Sequence, residues 1–250
     1  MEIVRSARNP RLRRVRELAR ASERRDQGLF LVEGEDLVAA ALASSCVVED
    51  LLVREGAAAP AGYRGAPLVV QGDVLDAASG RGSGSRVLAV VRTDSLPAAP
   101  AALTGVGLAL CGVGDPGNVG TLLRTAAAFG AEVVVLGAPS ADPAGPKAVQ
   151  AAMGATFAVP TLAVDDVADA YPEARLVALD GHGDADLADV DLAGPVLVAL
   201  GAEREGLPAS VRKRADVICR IPQSEGAESL NVAAAGAIAL SHAYRRSTRG

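Results

Sequence analysis

The sequence predicts a two-part α/β protein, because short apolar segments typical of strands alternate with helical segments along its 250 residues. Half of the residues are hydrophobic and 22% are charged, which is enough apolar material for buried cores. In the C-terminal part the strands are uninterrupted apolar runs, a pattern typical of parallel strands covered on both faces. We therefore expect a small N-terminal α/β domain and a C-terminal domain with a mostly parallel sheet.

The N-terminal domain is predicted to span residues 1–93. A Pro/Ala-rich stretch without clear periodicity then predicts a linker over 94–105. The predicted elements of this domain are a basic helix within 5–25, strands at 28–34, 47–53, 66–71 and 86–92, and helices at 35–44 and 73–79.

The C-terminal domain is predicted to span residues 106–250 and to begin with a buried strand at 106–112. Asp115 is a natural N-cap, and Pro116 suits the first helical position. This helix should run to Phe129 and end at Gly130. The later predicted elements are strands at 131–137, 156–161, 174–180, 194–201 and 215–222, and helices at 146–154 and 231–246.

The distribution of charge matters more than its sum. The net charge is −5, which by itself argues against a nucleic-acid partner. Residues 1–25, however, carry nine arginines and three glutamates, a net charge of +6 that leaves −11 on the rest. A basic segment on an acidic body favours contact with phosphates. A solvated amphipathic helix explains the same run of charges equally well.

Composition disfavours several classes of protein. With three Phe, three Tyr and no Trp, the chain has few platforms on which bases could stack. Three isolated cysteines and two histidines predict neither a metal site nor a disulfide framework. The Arg-rich N-terminus lacks the apolar core of a signal peptide, and no long apolar run predicts a membrane span. We therefore expect a cytoplasmic protein with no metal and no membrane partner.

The first segment with chemical content is 111–131. Gly112, Gly114 and Gly117 match the G-x-G-x-x-G pattern of dinucleotide-binding domains. That pattern calls for an acid at the end of the next strand to hold a ribose, yet that strand ends at Gly137 without one. A nicotinamide-dependent oxidoreductase is therefore disfavoured.

The same segment is also a candidate binding site for an anion. The N–H groups at a helix N-terminus attract phosphate, and Arg124 can add a bidentate contact. Asn118 lies in the first turn, but residues six apart on a helix do not share a face. A turn cap at Asn118 and a surface ion pair at Arg124 remain the alternative explanation.

Two later segments place polar residues after predicted strands. The strand at 194–201 opens into a glycine-bounded turn that carries Glu203. The strand at 215–222 leads through a loop to Ser229 and Asn231, which are also natural helix caps. In open α/β sheets, ligands lie outside the carboxyl ends of strands, so both turns are candidate binding sites.

Together the three segments resemble the three motifs of the SpoU (TrmH-like) family of RNA ribose methyltransferases. The motifs are N-x5-R from Asn118 to Arg124, G-x-E-x2-G-L from Gly201 to Leu207, and I-P-…-E-S-L-N-V from Ile221 to Val232. Residues 6–34 also resemble the accessory RNA-binding domain of that family.

The resemblance implies transfer of a methyl group from S-adenosylmethionine to a ribose 2′-hydroxyl in structured rRNA or tRNA. It also implies a C-terminus threaded into a trefoil knot, and a homodimer with the active site near the subunit interface. The implied cofactor residues are Leu200, Gly201, Ile221, Ser229 and Leu230. The implied catalytic residues are Arg124, Asn118, Glu203, Ser229 and Asn231, and the RNA-binding residues are Arg8, Arg11, Arg13 and Arg14.

In this interpretation Arg124 activates the ribose hydroxyl. Because an arginine is normally locked in its charged form, electrostatic activation is favoured over action as a base. The sequence departs from the family pattern at Ala202, Gln150 and Ala152, where Asn, Arg and Ser are common. The alternative interpretation is an RNA-binding module that has lost methyl transfer.

Overall fold

The computed structural model describes residues 3–79, 84–224, 226 and 229–247, with side chains up to Arg245 in the last helix. The chain forms two compact units. Unit 1 comprises Met1–Leu96 and Asp142–Ala158, and unit 2 comprises Pro97–Ala141 and Val159–Gly250. The division after Leu96 falls inside the segment predicted as a linker. Segment Asp142–Ala158 packs in unit 1, although the domain limits that we predict from the sequence would place it in the C-terminal domain.

The strands and helices of the described residues are numbered in chain order. The strands are β1 (Ile3–Val4), β2 (Leu29–Glu33), β3 (Val48–Arg54), β4 (Leu68–Val70), β5 (Val87–Arg92), β6 (Val106–Cys111), β7 (Val134–Gly137), β8 (Thr161–Val164), β9 (Arg175–Leu179), β10 (Ala185–Asp186), β11 (Val196–Gly201) and β12 (Val217–Arg220). The helices are α1 (Pro10–Glu17), α2 (Ala21–Gln27), α3 (Glu35–Ala43), α4 (Gly72–Ser79), α5 (Pro116–Phe129), α6 (Pro146–Ala152), α7 (Ala209–Arg214) and α8 (Val232–Ser247).

Unit 1 is built on a mixed sheet with the strand order β1-β4-β3-β5-β2. Alternate residues of its strands enter different cores, as the period of two along a strand requires. Leu29 and Leu31 pack in a core with residues of α1 and α4. Phe30 and Val32 pack in a second core with residues of α3 and α6. The sheet is therefore covered on both faces.

The basic segment is not the single helix that we predict over 5–25. It forms α1 and α2, separated by a break at which Arg20 is extended with ψ of 134°. The break is stabilised by Arg24, whose guanidinium donates hydrogen bonds to the carbonyl oxygens of Leu18 and Ala19 at 2.8 and 3.0 Å. These bonds satisfy carbonyl groups that would otherwise be left over beyond the end of α1.

Arg24 also anchors the segment that unit 1 takes from later in the chain. Its side chain is only 6% exposed, and its Nε and Nη2 atoms donate to one Asp142 carboxylate oxygen at 2.9 and 2.6 Å. The other Asp142 carboxylate oxygen accepts the Ala144 backbone N–H at 2.9 Å. One buried cation thus stabilises both the helix break and the approach to α6.

Arg24→Met is expected to lower the free energy of unfolding of unit 1 by about 2–4 kcal/mol, because one Asp142 carboxylate oxygen and two carbonyl oxygens lose the Arg24 donors. Urea unfolding measures this change. Arg20→Met is the matched control, because Arg20 forms an exposed pair with Glu23 and should cost less than about 1 kcal/mol. Equal losses for the two variants would contradict the anchoring role of Arg24.

Unit 2 contains the parallel sheet predicted from the apolar runs. Seven strands lie in the order β10-β12-β9-β11-β6-β7-β8, and all their pairings are parallel. Helices α5 and α8 pack on each other, and α8 also packs on β11 and β6. Val211 of α7 packs in a core with the strand residues Ala109, Ala178 and Ala199. This α/β architecture confirms the predicted fold class, and the trefoil knot remains a prediction.

The ends of α5 are those expected from the sequence. Asp115 accepts the Asn118 backbone N–H at 3.0 Å, and Gly130 ends the helix in the left-handed conformation.

The prediction of a strand at 156–161 is wrong. Ala155–Phe157 is a 3-10 turn, because Phe157 is buried in unit 1 beside Phe30, with ring centroids 6.4 Å apart. The strand of that region, β8, begins only at Thr161.

Candidate active site

A cavity of about 280 Å³ lies in unit 2 at the carboxyl ends of β9, β11 and β12, beside the start of α8. The carboxyl ends of parallel strands lie at the same edge of a sheet, so the loops that follow the strands meet there. All five residues predicted to hold the cofactor line this cavity, and they are Leu200, Gly201, Ile221, Ser229 and Leu230.

One wall of the cavity is the turn that follows β11. Two backbone hydrogen bonds between Ala202 and Gly206 close it, at 3.1 and 3.0 Å, and Gly206 has a positive φ of 68°. A Cβ atom on Gly201 would lie 2.4 Å from the carbonyl carbon of Gly206. Because these neighbours are backbone atoms, the turn can take this shape only with glycine at position 201.

Three of the predicted catalytic residues form a hydrogen-bonded network. The Asn118 side-chain amide donates to the Glu203 carboxylate, and the Asn231 amide donates to the Asn118 oxygen at 3.2 Å. The Asn231 oxygen caps α8 by accepting the Ala233 N–H at 2.9 Å. The network therefore links the first turn of α5, the turn after β11 and the start of α8.

The other two predicted catalytic residues lie outside this network. Ser229 is exposed and lines the cavity. Arg124 is exposed on α5, and within the part of the chain that the structure describes its guanidinium forms no hydrogen bond or ion pair. The spacing of six residues from Asn118 places Arg124 on a different face of the helix.

The four predicted RNA-binding arginines lie on or just before α1. Arg8 is exposed, and Arg13 is 74% exposed in an i,i+4 pair with Glu17. Arg11 and Arg14 pair with Asp50 and Glu49 of β3. The residues that depart from the family pattern differ in environment: Ala202 lines the cavity, Gln150 is exposed and Ala152 is buried.

Asp180 and His182 also line the cavity, and the sequence analysis missed both. Burial raises the pKa of the Asp180 carboxyl, but the His182 N–H and the Arg212 guanidinium outweigh this effect and hold it below its ordinary value. The available signal was the acid at the end of the strand predicted at 174–180. The G-x-G-x-x-G pattern instead calls for an acid at the end of the strand that follows α5.

A second cavity of about 620 Å³ lies across the turn after β11. Gly112, Asp115, Pro139 and Glu203 are among the residues that line it, so it opens at the carboxyl ends of β6, β7 and β11. Glu203 lines both cavities. The Asn118–Glu203–Asn231 network thus involves a residue that borders both spaces.

Two buried cysteines lie in unit 2. Burial raises the pKa of the Cys111 thiol to about 12, with a further rise from the charge of Asp166, and burial raises that of Cys219 to about 11. Neither thiol is a thiolate at neutral pH.

Among the described residues there is no group of three potential metal ligands, and no helix there is long and apolar enough to cross a membrane.

The fold and this cavity define a class of α/β proteins that bind a ligand at the carboxyl edge of a parallel sheet. Comparison with known families is more specific. Residues 105–241 match the SpoU rRNA Methylase family, and residues 9–89 match an MRM3-like substrate binding domain. The chain belongs to the SpoU rRNA Methylase family.

Relatives resemble nearly the whole chain. The 23S rRNA (guanosine(2553)-2′-O)-methyltransferase RlmP of Bacillus subtilis is 29% identical, and the match covers 97% of this chain and 99% of RlmP. The AdoMet-bound rRNA methyltransferase from Sinorhizobium meliloti has a TM-score of 0.86 at 29% identity, with 98% of each chain covered. The SpoU methyltransferase AviRb from Streptomyces viridochromogenes, in complex with AdoMet, has a TM-score of 0.85 at 28% identity, covering 97% of this chain and 100% of AviRb.

The cavity fits the predicted cofactor, S-adenosylmethionine. Leu179, Leu200 and Leu230 offer apolar surface for a base, while Ser229 and Asp180 offer polar groups. Ile221, Ser229 and Leu230 lie in loop backbone, whose N–H and C=O groups can bond a ligand. The close approach of Gly201 to Gly206 gives this wall of the cavity its shape. This combination of apolar walls and few polar groups is typical of small-molecule sites.

Proposed function

We propose that this protein transfers a methyl group from S-adenosylmethionine to the 2′-hydroxyl of a ribose in structured rRNA or tRNA. The observation that carries this proposal is that the five predicted cofactor residues line one cavity. Membership of the SpoU rRNA Methylase family supports the same activity.

Mapping of 2′-O-methyl groups in total RNA, with and without the protein, tests the activity. At least one ribose should lose its methyl group when the protein is absent and regain it on incubation with the purified protein and S-adenosylmethionine. Identical methylation maps, together with RNA binding by the purified protein, would favour the alternative of a non-catalytic RNA-binding module.

The residues of this chain would act mainly by positioning. The bound cofactor supplies an electrophilic methyl group. Asn118 and Asn231 hold Glu203 at the border between the two cavities, where its carboxylate can orient a ribose. Good alignment of two reactants is worth about 7–11 kcal/mol. The Arg124 guanidinium would lower the pKa of the target hydroxyl electrostatically.

The same proposal includes a homodimer. Apolar side chains on α8 support it, because Ile238 and Tyr244 are 42% and 47% exposed. A second copy of this chain would cover them, and the resemblance to the SpoU family implies an active site near that subunit interface. Light scattering should give twice the mass of 25.2 kDa. A monomer at working concentration would contradict the dimer.

We also propose a cytoplasmic location, where rRNA and tRNA are found.

RNA binding is assigned to the exposed arginines of unit 1. Arg8 and Arg13 have the greatest freedom to reach phosphates, whereas Arg11 and Arg14 are held by carboxylates of β3. Deleting residues 1–25 would not test this role, because Leu12, Val15 and Leu18 of the segment belong to the core of unit 1. Substitution of the exposed arginines leaves that core intact.

Arg8→Gln combined with Arg13→Gln is expected to weaken RNA binding. The slope of log K against log salt concentration should become shallower by about 0.7–0.9 for each lost phosphate contact. Filter binding over a series of salt concentrations measures this. Arg86→Gln combined with Arg92→Gln is the charge-matched control, because these two arginines pair with Glu35 and Asp94. An unchanged slope in the double variant would remove Arg8 and Arg13 from the RNA interface.

A further inference from the structure

Asp180 occupies a central position at the cofactor cavity. It directly follows β9, and β9 lies between β12 and β11, which lead to Ile221 and end at Gly201. Its side chain is only 10% exposed, yet it lines the cavity. A buried acid at this point needs an explanation, because burying a charge is costly unless it is paired and hydrogen-bonded.

The Asp180 carboxylate is paired but not saturated. One oxygen accepts the His182 backbone N–H at 2.9 Å, and the other pairs with the Arg212 guanidinium. The His182 ring, which is fully exposed, lies 3.4 Å from the first oxygen. An ionised carboxylate has about four acceptor sites, so these partners leave acceptor capacity for a ligand. These partners hold the pKa of Asp180 below its ordinary value, although burial opposes them.

The carboxylate is also held rigidly. The Asp180 N–H donates to the Cys219 carbonyl oxygen at 2.9 Å, and the Gly183 N–H donates to the Asp180 carbonyl oxygen at 3.0 Å. A Cβ atom on Gly183 would lie 2.6 Å from the carbonyl carbon of Cys219, so this turn packs directly on β12. Arg212 of α7 pairs with one carboxylate oxygen and thereby restricts rotation of the side chain.

We propose that Asp180 accepts hydrogen bonds from the ribose hydroxyls of the methyl donor. The inference depends on the proposed function, because it assigns a residue to the same cofactor. An ionised carboxylate only accepts hydrogen bonds, and the vicinal hydroxyls of a ribose donate them. A strand-terminal acid that binds ribose is a recurrent solution in α/β nucleotide sites. In this chain the acid follows β9 instead of the strand after the glycine-rich segment.

The test is calorimetric binding of S-adenosylhomocysteine and of its 2′-deoxy and 3′-deoxy analogues. In the unaltered protein, loss of the recognised hydroxyl should weaken binding about 10- to 100-fold, as expected for a hydrogen bond to a charged group. Asp180→Asn keeps only a weaker, uncharged acceptor, so it should weaken binding of S-adenosylhomocysteine and should distinguish it less strongly from that analogue. Thermal unfolding of each variant checks that it is folded.

Arg212→Met separates ribose binding from a purely structural role, because it removes a partner of Asp180 and keeps the carboxylate. This variant should still distinguish S-adenosylhomocysteine from the deoxy analogue. If the unaltered protein binds all three ligands equally, or if Asp180→Asn distinguishes them as before, the proposal is wrong. The first comparison needs no variant, so a folding defect cannot obscure it. Absence of any binding by the unaltered protein would overturn the proposed function itself.

Discussion

Gly201→Ala is expected to weaken binding of S-adenosylmethionine by at least about 100-fold, the size of effect that an ångström of misplacement can produce in a preorganised site. The added Cβ would lie 2.4 Å from the carbonyl carbon of Gly206 and 2.7 Å from the Leu207 nitrogen. Backbone atoms cannot rotate away as a side chain can. The turn after β11 must therefore move, and one wall of the cavity moves with it.

Calorimetry with S-adenosylmethionine measures this loss. Gly114→Ala is the matched control: it is also a loop glycine at this edge of the sheet, but an added Cβ atom would have no neighbour within 4 Å. The control should bind the donor as the unaltered protein does. Near-normal binding by Gly201→Ala would mean that the turn does not shape the donor site.

Arg124→Ala is expected to reduce the rate of methyl transfer by about 100- to 1000-fold, which is typical for loss of one preorganised electrostatic contact to a transition state. Because Arg124 is exposed, the variant should unfold at the same temperature and bind S-adenosylmethionine with unchanged affinity. Single-turnover assays with saturating RNA separate the methyl-transfer rate from binding.

Arg124→Lys distinguishes two roles for this side chain. It keeps the charge but loses the planar pair of donors, so a purely electrostatic role predicts a smaller loss than for alanine. A bidentate contact predicts nearly equal losses for the two variants. Near-normal turnover of folded Arg124→Ala would exclude Arg124 from the mechanism.

Local signals in the sequence were sufficient for α5 and for the main strands of the parallel sheet, but not for α7, which carries Arg212. Asp115, Pro116 and Gly130 determine the ends of α5 through contacts within a few residues, and the structure confirms each end. The apolar runs predict the parallel sheet, because strands buried on both faces need apolar residues at successive positions.

Long-range contacts explain where those signals failed. The predicted basic helix breaks because Arg24 bonds to carbonyls at the break and to Asp142, which is 118 residues away. Thr156 and Phe157 do not join the predicted strand because Phe157 is buried beside Phe30. In each case the partner is remote in the sequence, so no periodicity within the segment could show it.

The site was predictable as a set of residues but not as an arrangement. The motifs identify Asn118, Glu203 and Asn231, and only the fold shows that one amide of Asn118 connects the other two. Motif spacing places Arg124 and Asn118 on different faces of α5, but only the fold shows that the Arg124 side chain is exposed. Asp180 lies outside the three motifs, and its significance follows from the position of β9 between β11 and β12.

A crystal structure with bound S-adenosylmethionine is the most direct test of this account. It should show the donor in the cavity at the carboxyl ends of β9, β11 and β12, in contact with Gly201, Ile221 and Leu230. A donor bound elsewhere on the chain, with this cavity filled only by solvent, would contradict the assignment.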